Sequence, residues 1–385
     1  MADHALLSAS GASKWLNCPP SARLETQFPE STSGYAEEGR LAHAIAELKL
    51  RKTFTEPMGP RKFNAALKKL QENTLYQPEM LTHTDAYLDY IQTITLAYQG
   101  KPHVAVEQRL DFSHIVPEGF GTGDCIVIGG NDLYVIDFKY GKGVPVEAEG
   151  NPQMMLYALG ALAAYDLLYD IRTVRMTIVQ PRLNDINRAE MSVDELLAWG
   201  ESIKPVAAQA MAGEGEFKGG DWCRFCRAKN QCRARADQYT ALEAFGKAKP
   251  PLITNDEVGD ILRQAQGLAA WVDDLEEYAL AQCLAGELIS GFKAVEGRSN
   301  RQFADLDMAF GILTAAGVEE ALLYERKPLT LAAIEKQLGK KEFADLLADQ
   351  IIKPPGKPSL VPDTDKREAI ANKISAEEAF KEAEQ

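Results

Sequence analysis

Asp124, Asp137 and Lys139 are the residues whose types and spacing bear most directly on chemistry. They fall in the stretch 121–139, GTGDCIVIGGNDLYVIDFK, where two β-rich runs flank Gly129-Gly130-Asn131-Asp132, a hairpin signal. Residues two apart on a strand share a face, so Asp137 and Lys139 project together. Closing the hairpin at 129–132 brings Asp124 beside residue 137, and two carboxylates meet one ammonium. Two carboxylates supply hard oxygen ligands for Mg²⁺, an ion that keeps several waters. Such an ion polarises a phosphate ester and lowers the pKa of an attacking water, while Lys139 orients that water or stabilises developing charge. The same residues would equally make the charged rim of a surface hairpin, since Asp-x-Lys at a strand end is common.

Two flanking groups bear on that choice. Upstream, Glu38-Gly39-Arg40-Leu41-Ala42-His43 lies on a helix, with Glu47 one turn after His43. Downstream, Gln153 and Tyr157 are spaced i, i+4 on one helix face. Taken singly, each is an ordinary packing or surface residue.

Taken in order, EGxxxH (38–43), GxxD (121–124), DFK (137–139) and QxxxY (153–157) resemble the RecB-type nucleases of the PD-(D/E)xK superfamily. The resemblance implies an α/β PD-(D/E)xK core: a mixed central sheet flanked by helices, with a helical C-terminal region. It implies His43, Asp124 and Asp137 as ligands of Mg²⁺ or Mn²⁺, with the Phe138 carbonyl as an extra ligand. It makes Lys139 the catalytic lysine, and Gln153 and Tyr157 supports of the site or contacts to DNA. Glu107, on the preceding strand, matches an acidic position of many members. Tyr140 stands where many relatives have Thr. The implied activity is metal-dependent DNA hydrolysis, exonucleolytic rather than endonucleolytic, in the manner of phage-encoded stand-alone members that process or recombine DNA. The implied partners are DNA and a single-strand-binding or recombination protein. The alternative is a non-catalytic DNA-binding or assembly module that retains the fold.

Cys223, Cys226 and Cys232 form C-x2-C-x5-C, a metal site one ligand short. Cys18, released at a turn by Pro19 and Pro20, is the candidate fourth ligand. A four-cysteine Zn²⁺ site fits these thiols as they stand, and so do three buried, unliganded thiols. The order of one cysteine before the nuclease motifs and three after, with Ser8, Ser10 and Trp15 upstream of Cys18, resembles AddB-type and CRISPR-associated iron–sulfur exonucleases. That resemblance implies a [4Fe–4S] cluster, structural rather than redox-catalytic, closing a loop of ~200 residues. Cys125 faces the other side of its strand from Asp124, and Cys283 lies on an Ala/Leu-rich helix; neither reads as a ligand.

The elements that must carry these residues follow from pattern. Residues 8–20 read as a Ser-capped helix, 35–51 and 81–99 as helices, and 53–80 as a connection with one short helix. Strands are expected at 103–110, 122–129, 132–139 and 172–180, a helix at 152–168, and another near 192–211. After residue 240 the pattern is helical: 256–288 is long and amphipathic, 353–358 is a Pro-rich linker, and 366–385 is a charged tail or terminal helix. Residues 1–240 therefore read as one nuclease unit and 241–385 as a helical accessory region.

The 385 residues, 45% hydrophobic and 25% charged, have the composition of a globular chain. No run of about 18 apolar residues suggests a membrane span, and no signal peptide is apparent. A cytoplasmic location is expected, the host's cytoplasm for a phage-encoded chain. A net charge of −14 argues against a nucleic-acid partner. However, residues 251–385 hold 25 acidic and 15 basic side chains, against 31 and 27 in residues 1–250. The first two thirds can therefore still present a basic groove. Arg224, Arg227, Lys229, Arg233 and Arg235, and also Arg172, Arg175 and Arg182, are candidate phosphate contacts. Nothing resembles a base-reading motif.

Overall fold

The computed structural model describes residues 5–29, 34–143, 145–240, 242, 254–295, 305–316, 319, 323–324, 334 and 339–347. The chain divides into two compact units, Met1–Val295 and Glu296–Gln385.

The first unit is built on a five-stranded mixed sheet in the order β1-β2-β3-β4-β5. Its strands are β1 (His103–Asp111), β2 (Phe120–Gly129), β3 (Asp132–Phe138), β4 (Thr173–Gln180) and β5 (Asp185–Ser192). All neighbours are antiparallel except β3 and β4, which run parallel and need a crossover. Helix α6 (Pro152–Tyr165) makes it, started by Asn151, whose side chain accepts the backbone N–H groups of Gln153 and Met154. Strand β5 is absent from the sequence reading. Its residues, DINRAEMS, alternate only between exposed and half-buried, so its apolar signal is weak and its pairing with β4 defines it.

Both faces of the sheet are covered, and alternate residues divide between them. Ile126, Ile128, Leu133, Val135, Met176 and Ile178 pack with α6 and α7 (Val193–Ala212). Cys125, Val127, Ile136 and Phe138 pack with α3 (Gly34–Leu50) and α5 (Glu79–Leu96). Each fully buried side chain of this kind contributes about 1.5–3 kcal/mol. The architecture is thus a three-layer mixed α/β fold in which helices clamp the sheet from both sides.

Residues 8–20 are not one helix: α1 (Ala12–Asn17) stops at Cys18, and α2 (Ser21–Glu25) starts after Pro19 and Pro20. Trp15 is fully buried and donates its indole N–H to the Ser8 carbonyl, which fixes the entry of the chain. The connection at 53–80 contains α4 (Pro60–Gln71), longer than a short turn of helix. The stretch 256–288 is two helices, α8 (Asn255–Gln264) and α9 (Leu268–Leu284), parted at Gly267 with φ +83°. These helices belong to the first unit, beyond the boundary at residue 240 read from the sequence. Asp274 of α9 accepts from both Lys229 and Arg235, and Trp271 stacks on Tyr239 at 4.9 Å.

The second unit includes the helices Leu306–Ala315 and Lys340–Leu347. The linker at 353–358 and the tail at 366–385 lie outside the described residues. Among those described, no helix is long and apolar enough to cross a membrane.

Candidate functional site

His43 on α3, Glu107 on β1 and Asp124 on β2 meet with their ligand atoms all within 4.8 Å of one another. The His43 Nδ1 lies 3.4 Å from Asp124 Oδ1, the two side chains being 34% and 14% exposed. Asp124 is fixed by its second oxygen, Oδ2, which accepts the Phe138 N–H at 2.7 Å. The Phe138 ring is fully buried and meets His43 edge-on, with centroids 5.2 Å apart. Glu107 carries a left-handed φ of +50°, unusual for a non-glycine residue. β1 and β2 keep one register on either side, Val106 opposite Cys125 and Gln108 opposite Gly123, and pairing lapses only at the Glu107–Asp124 step. Strain of about 1–3 kcal/mol at such a residue persists where its surroundings fix it, and functional sites are where it clusters.

Asp137 adjoins this trio without joining it. Its buried carboxylate accepts from Gln153 Nε2 at 3.2 Å, and its Oδ2 lies 3.0 Å from the Lys139 ammonium yet accepts no well-formed hydrogen bond. Lys139 also donates to Gln153 Oε1 at 3.2 Å, and Gln153 reaches the Tyr157 hydroxyl at 3.4 Å. One amide thus ties the lysine, the aspartate and the tyrosine together. A Cβ at Gly121 would lie 2.7 Å from the Tyr157 ring, so the glycine of GxxD is what lets α6 lie this close.

The electrostatics describe carboxylates in excess over cations. Burial acts to lower the His43 pKa, but the Asp124 carboxylate outweighs it and raises the imidazole to about 9. Burial, then the charges of Asp124 and Glu47, push Glu107 up to about 7. Asp137 is raised, first by burial and then by Asp124, against the pull of Lys139. Asp124 is lowered: burial opposes ionisation, but His43 and the Phe138 N–H prevail. Burial opposes the Lys139 charge too, and Asp137 and Asp124 overcome it, so Lys139 stays an ammonium. Protons held on Glu107 and His43 at one edge of the sheet fit a place that a divalent cation would take.

The sequence placed His43, Asp124, Asp137, Lys139, Gln153 and Tyr157 together, and all six lie in this cluster. It did not foresee the left-handed turn at Glu107, nor the partners of Glu38. Arg182 pairs with Glu38 of α3 and Glu79 of α5 and lies over the Tyr140 ring at 4.7 Å. Arg182, read as a phosphate contact, is therefore a clamp on the two helices that flank the site. Arg172 pairs with Asp170, and Arg175 with Asp132 and Glu190, so both are committed to carboxylates. Lys229 and Arg235 likewise turn inward onto Asp274.

Cys18, Cys223, Cys226 and Cys232 line one common cavity with Lys14, Phe217, Trp222 and Lys229. Three supporting turns place them: the helix stop at Cys18, the 3-10 turn Asp221–Phe225, and the start of the helix Arg233–Thr240. The Cys18 sulfur accepts the Lys218 N–H at 3.5 Å, a link across 200 residues. Burial raises the Cys223 thiol, with Cys232 and Cys18 adding to the effect, and burial pushes Cys226 up to about 11. Among the described residues, the His43–Glu107–Asp124 set is the one trio of such side chains with ligand atoms inside 4.8 Å. No three of the four sulfurs are as close as the ~3.8 Å that 2.3 Å Zn–S bonds in a tetrahedron impose.

A mixed sheet clamped by helices, with a His–carboxylate–lysine cluster at its edge, defines an α/β protein with a candidate metal centre. The chain belongs to the family described as "Protein of unknown function (DUF2800)", whose model matches residues 4–368. It is also similar to the solved structure titled "Crystal structure of SSO0001" at 14% identity, over 58% of this chain and 97% of that one. The TM-score of 0.24 is too low for that likeness to speak for fold or site.

Proposed function

We propose that this chain is a Mg²⁺- or Mn²⁺-dependent deoxyribonuclease with a RecB-type PD-(D/E)xK core, acting on DNA ends in phage-type processing or recombination. The observation that carries the reading is the meeting of His43, Glu107 and Asp124 inside 4.8 Å, next to the ion pair of buried Asp137 with half-buried Lys139. Asp137 Oδ2 is buried, has the Lys139 ammonium 3.0 Å away and accepts no well-formed hydrogen bond, so it keeps lone pairs for a cation. His43, Glu107 and Asp124 would hold the ion, with Asp137 and the Phe138 carbonyl as further ligands. When bound, it supplies Lewis-acid polarisation of the phosphate and a more acidic water. Lys139, kept charged by its two aspartates, donates to the attacking water or to phosphate oxygens and does not act as a base. Gln153 holds that ammonium and Asp137 in one arrangement, and Tyr157 supports Gln153.

The four cysteines on one cavity would hold the [4Fe–4S] cluster that their resemblance to iron–sulfur nucleases implies, a four-cysteine Zn²⁺ site being the alternative. Arg235 favours the Cys223 thiolate and Lys14 that of Cys226, each while paired with a carboxylate, Asp274 and Glu25. The cluster would fasten the entry helices to the segment after α7.

The test is end-labelled single- and double-stranded DNA, linear and circular, incubated with purified protein and Mg²⁺ or Mn²⁺. Cleavage of linear substrates that chelation abolishes is expected. DNA binding without metal-dependent cleavage would contradict the enzyme and favour a non-catalytic assembly module.

A further inference from the structure

The two cysteines of C-x2-C are buried on the cavity, and Arg224 and Phe225 between them are exposed. Phe225 is 75% exposed and Phe217 47% exposed, and Trp222 is half-buried, three aromatics within nine residues. Two of the three rings have a cation nearby: the Arg224 guanidinium lies 5.7 Å from the Phe225 centroid, and the Lys218 ammonium 6.0 Å from that of Trp222. Trp222 is folded back over Gly220, where a Cβ would meet its ring at 2.5 Å, and its N–H is bonded to the Lys218 carbonyl. It also lines the cysteine cavity, so part of the ring is covered and part is left to solvent. Arg224, Arg227 and Arg233 are exposed, while residues 222–235 contain no acid. That is a local reversal of sign in a chain of net charge −14.

An exposed lone phenylalanine is ordinary, but rings interleaved with arginines form a surface with two complementary properties. The rings match the faces of unpaired bases, and the cations match a phosphate chain. We infer that the cysteine-bearing segment is a stacking platform for single-stranded DNA, on Phe225, Trp222 and Phe217 with Arg224 and Lys218. Paired bases hide their faces in the duplex, so the surface selects single strands without reading sequence. The inference deepens the nuclease reading by assigning its substrate strandedness, and it rests on that reading for the identity of the nucleic acid.

The experiment uses the full, cluster-loaded chain without added divalent metal, so that binding is read apart from cleavage. Fluorescence anisotropy follows a labelled oligo-dT and a duplex of equal length, between 50 and 200 mM salt. Phe225→Ala, at an exposed position, is expected to weaken oligo-dT binding by roughly 5- to 150-fold and to leave the duplex unchanged. Arg224→Ala is expected to flatten the salt dependence for oligo-dT by roughly 0.7 in log–log slope. Oligo-dT should also quench wild-type tryptophan fluorescence more than that of Trp222→Phe. Unaltered oligo-dT binding by Phe225→Ala would overturn the platform and leave this patch to a protein partner. Equal losses on both DNAs would overturn it too. Aromatic-dependent oligo-dT binding by a protein that never cleaves DNA would sink the nuclease reading and leave the platform standing.

Discussion

At the edge of the sheet, the candidate ligands His43, Glu107 and Asp124 sit on α3, β1 and β2, elements held by their own packing and ladder hydrogen bonds. The four cysteines occupy short turns at the two ends of a ~200-residue excursion, which Lys14–Glu25, the Arg227 N–H on Glu25 and Arg23 on the Met211 carbonyl also tie together. The first centre is prepared in advance and its groups are mutually oriented. A cluster at the second would add a covalent closure to those contacts. A catalytic site benefits from the former arrangement, and a structural staple from the latter. The contrast predicts that losing a ligand at the sheet removes chemistry and spares the fold, whereas losing a cysteine removes the fold first.

The largest effect expected is on cleavage. Lys139→Ala should lower DNA hydrolysis on the order of 10³-fold, with thermal unfolding unchanged within a few degrees. Measured turnover close to wild type would remove Lys139 from the chemistry. Next, Cys226→Ser should cost about 3–5 kcal/mol of stability, by analogy with breaking a long covalent closure, and should abolish the broad visible absorption of an iron–sulfur protein. A colourless wild type containing zinc would turn the comparison into one between two simple metal sites.

The pH dependence sharpens the contrast. Without metal, the folded pKa values of Glu107 and His43, about 7 and about 9, lie above their ordinary values. Their contribution to stability is therefore complete at low pH and is lost as pH rises through 7 and then 9. Metal binding must expel those protons, so affinity for Mn²⁺ should rise about tenfold per pH unit between 7 and 9 and level off above. Calorimetry in buffers of different ionisation enthalpy reads the proton release directly, and a flat profile would separate His43 from the metal. The smallest effect is at Tyr140, whose buried hydroxyl lacks a hydrogen bond. Tyr140→Phe should leave stability unchanged or raise it by up to ~1 kcal/mol, measured by denaturant titration.

Much of the site was legible because strand periodicity and a Gly-Gly-Asn-Asp turn fix which side chains meet. Asp124 beside residue 137, and Asp137 beside Lys139, follow from counting along a hairpin. Four strands of the sheet were legible for the same reason. What was not legible depended on partners distant in sequence or on backbone conformation. The left-handed turn of Glu107 leaves no compositional trace, since its residue type does not favour it. Arg182, Lys229 and Arg235 read as free cations until folding brought Glu38, Glu79 and Asp274 to them. Strand β5 was hidden because an edge strand needs little apolar alternation. Gly267 gave a break inside a continuous helical pattern, where only its positive φ decides the matter.

The central claim is that one divalent cation belongs at the sheet edge among His43, Glu107 and Asp124. Anomalous diffraction from crystals grown with Mn²⁺ tests it most directly. The account predicts a peak within bonding distance of an imidazole nitrogen of His43 and of carboxylate oxygens of Glu107 and Asp124, absent in Asp124→Ala. Manganese bound elsewhere, or a His43–Asp124 contact that persists unchanged with no peak beside it, would contradict it.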